Sequence, residues 1–430
     1  MKSVGRLVIL LVFGTGPLAA QSTPALSLDQ LIAIGLDNNS SIRLAERNLS
    51  AARAERRGSY SGLIPSLQAS INRDLNPQEI ELAGGYIVKP RPYSSSMSVS
   101  QTLFDGGAAW YNKRDGDIAV AAAHARYDQA RLQMIQSVKE TYFRYLSNQE
   151  MLEVARGALE LSRRQLELVE ERYRLQAVRE SDLLKAQVSK GQREADFHRA
   201  TQALTTSATG LNVAIGQDPR AAINVRRDTV LIAPIPDPEL AYSLLEHNNP
   251  ELRTQELAVE RAWLSAKAQR GVMLPTVTLR YSGDASGSAL SDAIDFTTIN
   301  DNSATRLNIY FPLFSGLRNS SAYKRLRYAA LAEEERLDAT ERELRRQLAN
   351  TLSNLEALHK IHPINQDVLA SAQADMRLAD ELYRLGAIAI LDLLDAQVSL
   401  MTARSTLVRT TYDIKIAAAR LEALMGTVSE

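Results

Sequence analysis

The chain says nearly everything twice. The seventeen residues from Tyr173 to Ser189 and from Tyr383 to Ser399 align without a gap and agree at 11 positions. Their offset, 392 − 182 = 210 residues, holds elsewhere: Asn38-Asn39 recurs as Asn248-Asn249, Pro65 as Pro275, Phe104 as Phe314, Gly106 as Gly316 and Gly216 as Gly426. A tandem duplication constrains the fold more than any other feature, because both halves must solve one packing problem in the same order. In each half the shared stretch interrupts a long helical pattern with a short turn. Gly386 supplies a residue that takes positive φ after a helix end, and Asp182 and Asp392 open the next helix. The two stretches are therefore bends of helical hairpins.

Each half is expected to run helix, strand, strand, very long helix, bend, helix. Ser27 with Gln30 fits a capping box, and Asn249-Pro250 shows why the paired asparagines break the first helix: Asn caps and Pro takes the first helical position. A second helix from about Ser40 to Gly62 should bury Leu44, Ala45, Leu49, Ala52 and Ala54. From about Ala108 to Gln176 the helical pattern persists for about 100 Å at 1.5 Å per residue, a length that needs a partner. Asp182 to Leu211 returns as a shorter helix. The shorter helices of each half, stacked end to end, complete an antiparallel pair with the long one.

After Pro65 the period changes from 3.6 to 2. Leu67, Ala69 and Ile71 alternate with Ser66, Gln68 and Ser70; Tyr93, Met97, Val99 and Leu103 alternate with Ser94, Ser96, Ser98 and Ser100. The second half sets Val277, Leu279 and Tyr281 against Thr276, Thr278 and Arg280, and Leu307, Ile309, Phe311 and Leu313 against Arg306, Asn308 and Tyr310. Such amphipathic strands have the length of a tilted membrane strand. A soluble sheet is the competing reading. Polar faces of Ser, Thr, Asn and Gln, and the lack of a further amphipathic segment to cover the apolar face, favour the membrane. On that reading Leu67, Ile71, Val99, Leu279, Leu307 and Ile309 face lipid, whereas Ser98, Ser100, Thr278 and Asn308 face a lumen.

Composition narrows the setting. Lys plus Arg and Asp plus Glu both number 50, which implies no nucleic-acid partner, and there is no cysteine for a disulfide or thiolate chemistry. Lys2 and Arg6, then the apolar run Leu7 to Phe13 and the small residues to Ala20, read as a secretory signal. The expected organisation is thus a signal peptide at 1–20, a first repeat at 21–216, a connector at 217–237, a second repeat at 238–426 and a short tail at 427–430. Four strands cannot close in lipid, where open edges are forbidden. Two copies give 8 strands and an interior filled by side chains, so three copies and 12 strands are the smallest assembly that leaves a pore.

Taken together, the paired asparagines, Ile64-Pro65 and Leu274-Pro275, Leu103-Phe104-Asp105-Gly106-Gly107 with Leu313-Phe314-Ser315-Gly316, and the two bends resemble the TolC-family outer-membrane efflux proteins over nearly all of the mature chain. The resemblance implies a mainly α protein with membrane β-strands, a homotrimer whose 12-stranded β-barrel continues as a periplasmic α-helical barrel, set in outer-membrane lipid. It implies an exit duct for efflux or type I secretion, joined through a periplasmic adaptor protein to an inner-membrane pump of the RND, ABC or MFS type. Arg384, Leu385, Gly386, Ala387 and Ile388 resemble the adaptor-contacting tip, and Arg174, Leu175, Ala177 and Val178 are their first-repeat counterparts. Gln176 departs from the glycine usual there. Ser181, Asp182 and Tyr383 match positions that tie the bends together in the closed state; the family's arginine near the second bend is Ile388 here.

Asp392 and Asp395 stand at i and i+3 on one helix face, whereas their counterparts are Asp182 and Lys185. The family resemblance directs the aspartate pair into the lumen, where three copies gather six carboxylates as a cation-selective gate; plain helix-start electrostatics is the alternative. His359 and His362, at i and i+3, lack further ligands in the pattern, so no metal or cofactor is expected, and no catalytic constellation is present. A secreted adhesive coiled-coil protein would explain the helices but not the four strands.

Overall fold

The structure, a computed structural model, describes residues 25–76, 80–82, 86–88, 91–227, 232 and 234–427. The expected signal peptide lies outside them, as do parts of the connector and of the tail.

Each repeat opens with a short helix, α1 (Leu28–Asn38) or α5 (Pro238–Asn248), and after one residue continues as α2 (Ser40–Gly58) or α6 (Pro250–Gly271). The Ser27–Gln30 capping box forms as the spacing requires. The repeated asparagines do two things at once. Asn39 Oδ1 accepts from the Ser41 N–H at 2.8 Å while its Nδ2 donates to Ala214 O at 2.9 Å. Asn249 caps Glu251 at 2.9 Å and donates to Leu424 O at 3.0 Å. Each asparagine therefore joins the start of one helix to the end of another that lies 175 residues later. Gly216 and Gly426 follow those ends at φ +74° and +66°, where a Cβ would meet Asn38 O at 2.6 Å and Asn248 O at 2.4 Å. On α2 the buried residues are Ile42 and Leu49; Leu44, expected to face inward, is 63% exposed.

The four principal strands are β1 (Ser66–Arg73), β4 (Tyr93–Phe104), β5 (Thr276–Gly287) and β6 (Ser303–Tyr310), antiparallel in the order β1-β4-β5-β6. Between β1 and β4, where only a polar connection was expected, β2 (Ile80–Leu82) and β3 (Tyr86–Val88) form a small separate hairpin. Paired residues share a face, so the register can be read across the sheet. Leu67, Val99, Tyr281 and Thr305 make one row; Gln68, Ser98, Ser282 and Ala304 make the next. All six residues expected toward lipid fall on one face, and the four expected toward a lumen fall on the other.

Two expectations fail here. β6 ends at Tyr310 rather than Leu313, because Pro312 has no N–H to give the ladder. A segment does cover part of the apolar face. Helices α7 (Leu290–Ala293) and α8 (Phe296–Asp301) rest on its distal end, where Ser95 Oγ donates to Ala293 O and a Cβ on Gly283 would strike Ile299 O. Ala285, Ala293 and Ile299 are buried there, whereas Leu67, Leu307 and Ile309 nearer the helices are at least 60% exposed, as is Ile71 at the distal end of the β1 edge.

The long helices α3 (Ala108–Arg174) and α9 (Arg318–Arg384) have 67 residues each, about 100 Å. Helices α2 and α4 (Glu180–Ala214) pack on α3, while α6 and α10 (Ile390–Leu424) pack on α9. Away from the sheet the order is α4-α3-α10-α9, with α3 and α10 joining the repeats. Polar rungs mark that seam. Lys139 Nζ meets Glu422 at 2.6 Å, Arg420 grips Glu140 at 2.9 and 3.1 Å, Tyr412 donates to Glu150 at 2.7 Å, and Gln397 donates to Gln165. Between the rungs lie apolar clusters built on Val138, Tyr142 and Leu146, and nearer the bends on Val169, Met376 and Leu393.

The candidate gate and tip at the two bends

Both bends close by the same pair of backbone bonds. Gln176 N–H reaches Tyr173 O at 2.9 Å and Ala177 N–H reaches Arg172 O at 2.9 Å; Gly386 and Ala387 repeat this to Tyr383 at 3.0 Å and Leu382 at 2.8 Å. Gln176 takes φ 56° where Gly386 takes 72°, so the missing glycine leaves the turn unchanged. The expected tip residues divide by depth. Leu175 and Leu385 project at 79% and 81% exposure, and Arg174, Ala177, Arg384, Gly386 and Ala387 are also exposed. Val178 and Ile388 turn inward onto the cluster that holds Tyr383 and Ile390. Arg384 also pairs with Asp380 at 2.8 Å.

Of the residues expected to tie the bends, Tyr383 is the buried one. Its ring lies under the Arg172 guanidinium at 5.1 Å. Arg172 also donates to Tyr383 O at 3.3 Å and Arg384 O at 3.2 Å, so one side chain clasps the end of α9 from α3. Burial pushes the Tyr383 phenol above its ordinary value; the Arg172 charge opposes this and the Asp182 charge adds to it. Asp182 is turned to Arg179 at 3.9 Å, while Ser181 is exposed and hydrogen-bonds to nothing among the described residues. The tie thus runs through Arg172, which sequence reasoning passed over. Its only signal was position, since its counterpart is Leu382.

Asp392 and Asp395 are both exposed on α10 just past the second bend. Asp392 accepts the Ala389 N–H at 3.1 Å, which is the capping role. Asp395 has no hydrogen bond or ion pair among the described residues, so capping accounts for one carboxylate and leaves the other. His362 shares a hydrogen bond with Thr411 at 3.1 Å and His359 faces Leu355 O at 2.9 Å. No group of three possible metal ligands occurs among the described residues, and none of their helices is long and apolar enough to cross a membrane.

Comparison with known proteins agrees with this architecture. The profile of outer membrane efflux proteins matches residues 31–217 and again 241–427, two matches set apart by the same 210 residues (241 − 31). The outer membrane protein TolC of Vibrio cholerae is 23% identical over 390 residues, covering 86% of this chain and 84% of that protein. The alkaline protease secretion protein AprF of Pseudomonas aeruginosa is 24% identical over 408 residues, 92% and 84% of the two chains. Among solved structures, the outer membrane protein VceC of Vibrio cholerae superposes with a TM-score of 0.79 at 18% identity, over 94% of this chain and 97% of that one. The likeness of fold extends over nearly the whole of both chains. The chain belongs to the outer membrane efflux protein family, and is an outer-membrane exit channel for efflux or secretion whose helices lie in the periplasm.

Proposed function

We propose that three copies of the chain assemble into one duct, and that its periplasmic end is docked by an adaptor protein that links it to an inner-membrane pump. The observation that carries this is the pair of open sheet edges, β1 and β6, on a sheet whose exposed apolar face suits lipid. Lipid offers no partner for unpaired edge N–H and C=O groups, so the sheet needs neighbours, and 12 strands enclose water where 8 would not. About 100 Å below, Leu175 and Leu385 stand bare at the far end of the hairpins, two repeated apolar knobs suited to a helical partner in the periplasm. The chain acts as a conduit and carries out no chemistry on what passes through.

At the periplasmic mouth, Asp392 and Asp395 from three copies form the narrow cation-selective ring. Converging carboxylates attract cations and hold multivalent ones, since no single counterion neutralises the set. Arg172 and Tyr383 hold the two hairpins of each copy together beside it, and the ring widens when that clasp parts.

Docking is tested at Ala387. Replacement by Trp should abolish efflux in cells while outer-membrane trimers, counted on mild-detergent gels, stay at wild-type abundance. Undiminished efflux would remove the bends as the docking site.

A further inference from the structure

The polar faces of the two repeats differ sharply at one matched place in the sheet. In the first repeat Ser70 of β1 stands opposite Ser96 of β4, and the two hydroxyls share a hydrogen bond at 2.9 Å. Moved by 210 residues, that pair becomes Arg280 of β5 and Arg306 of β6, which also stand directly opposite each other. Side chains paired in this way leave the backbone about 5 Å apart, and two like charges so placed repel. No carboxylate accompanies the exchange. On the polar face of the four principal strands the register sets just one other charged residue, Asp284. It lies four residues along β5 from Arg280, about 13 Å at the rise of a strand. Neither arginine makes an ion pair among the described residues, and both are exposed.

The two forks lean the same way. Arg280 Nη2 donates to Ser98 Oγ at 3.4 Å and Arg306 Nη1 donates to Ser282 Oγ at 3.5 Å, and those serines are themselves a cross-strand pair. Both bonds are long, and each uses one of the five N–H groups of a guanidinium. Two parallel forks and two hydroxyls therefore face the same open space, with most of their donors free for an acceptor that the chain does not supply. We propose that Arg280 and Arg306 form an anion-binding station in the bore of the duct, selective for multivalent oxyanions such as phosphates. Planar forks match the oxygens of a phosphate or carboxylate two at a time, and an anion lodged between them relieves their repulsion. Three copies bring six guanidinia to the wall. A 12-stranded bore is about 24 Å across at the backbone, from a strand spacing of about 4.8 Å and a tilt of about 40°. Arginines that reach inward from that wall stand beside whatever passes, and rings of fixed charge sort ions by sign. The duct then presents carboxylates at its periplasmic mouth and guanidinia at its membrane end.

The inference rests on the trimeric duct proposed above and adds a ligand class to it. Full-length channels are reconstituted in planar bilayers, and inorganic triphosphate is added on the side that the barrel faces. Triphosphate should block the current of the unaltered channel. The double variant Arg280→Ser, Arg306→Ser recreates the Ser70–Ser96 pair that the same sheet already holds, so the strands accommodate it. It should need at least tenfold more triphosphate for half block, and its reversal potential in a potassium chloride gradient should move toward stronger cation preference. Trimers of each variant are counted on mild-detergent gels, and the single variant Arg306→Ser, which removes half of the guanidinia, carries the same test if the double variant does not assemble. Block at equal triphosphate concentration in unaltered and serine channels, with an unmoved reversal potential, overturns the station and leaves the duct standing. Absence of any conductance from the unaltered chain overturns the duct and the station with it.

Discussion

Removing the Arg172 guanidinium should free the two bends from each other. The side chain makes two charge-assisted hydrogen bonds, to Tyr383 O at 3.3 Å and Arg384 O at 3.2 Å, and lies 5.1 Å from the Tyr383 ring centroid. Both bonds are long, so each takes the low end of the range for charged partners, about 1.5 kcal/mol, and the ring contact adds about 0.5 kcal/mol. In Arg172→Ala, water reaches the freed carbonyls and recovers part of this, leaving about 2 kcal/mol. At about 1.4 kcal/mol per factor of ten, the equilibrium between clasped and parted bends shifts roughly 30-fold. Arg172→Lys keeps the charge but loses the fork, and should fall about halfway. Spin labels on Ala177→Cys and Ala387→Cys read the separation of the bends by pulsed electron resonance. A longer, broader distance distribution in Arg172→Ala, with larger single-channel conductance, is the expected result. A distribution superimposable on that of the parent labelled protein would refute the clasp.

Three other outcomes follow from features already described. Val99→Arg should cost about 2–4 kcal/mol near the bilayer centre and reduce assembled protein in outer membranes, whereas Ser100→Arg, on the opposite face, should assemble normally; equal yields would mean the faces are reversed or both wet. In planar bilayers the Asp392→Ala, Asp395→Ala double variant should lose cation selectivity and block by multivalent cations, and retention of both would place the constriction elsewhere. Burial alone would raise the Glu140 carboxyl, yet Arg420 and Gln136 together hold it below its ordinary 4.5. A lowered folded value means its stabilisation is complete above about pH 4.5 and is lost as pH falls through the lowered value, so the α3–α10 seam should loosen in acid. Thermal midpoints followed across that window should decline less steeply in Glu140→Gln, and parallel curves would show that the carboxylate does not report on the seam.

Much of the architecture was readable because it is written twice. Asn39, Gly216 and the bends each had a copy 210 residues away, and a pattern found in both repeats is hard to mistake for chance. The strands were legible through alternation, which the observed register preserves except at the end of β4, where a shift skips Leu103 and pairs Phe104 with Val277. Unrepeated features were harder to see. Among the described residues helices α7 and α8 have no counterpart in the first repeat, and their seat on Ser95, Gly283 and Ala285 is made by small residues that add nothing to an apolar pattern. Pro312 cut β6 short inside an otherwise perfect alternation, since period records side chains and is blind to a missing N–H. Arg172 was missed because its partners are two backbone carbonyls, which leave no mark in a side-chain pattern. Ser181 was expected at the tie by analogy of position, and the geometry gave that work to a residue on the other side of the bend.

The asparagine bonds carry a consequence for ancestry and for engineering. Asn39 to Ala214 and Asn249 to Leu424 each close one repeat into a complete circuit, sealed at its own ends by its own residues. Neither repeat borrows this asparagine cap from the other, and covalently they are joined only by the stretch between Gly216 and Asp237. The proposed trimer is then a cask of six near-equal staves, fastened in pairs by a strap. A gene half as long could have supplied six identical staves to the same cask. What the fusion added is the freedom to make alternate staves different, and the ion-paired seam, the doubled aspartate and the arginine clasp all exploit it.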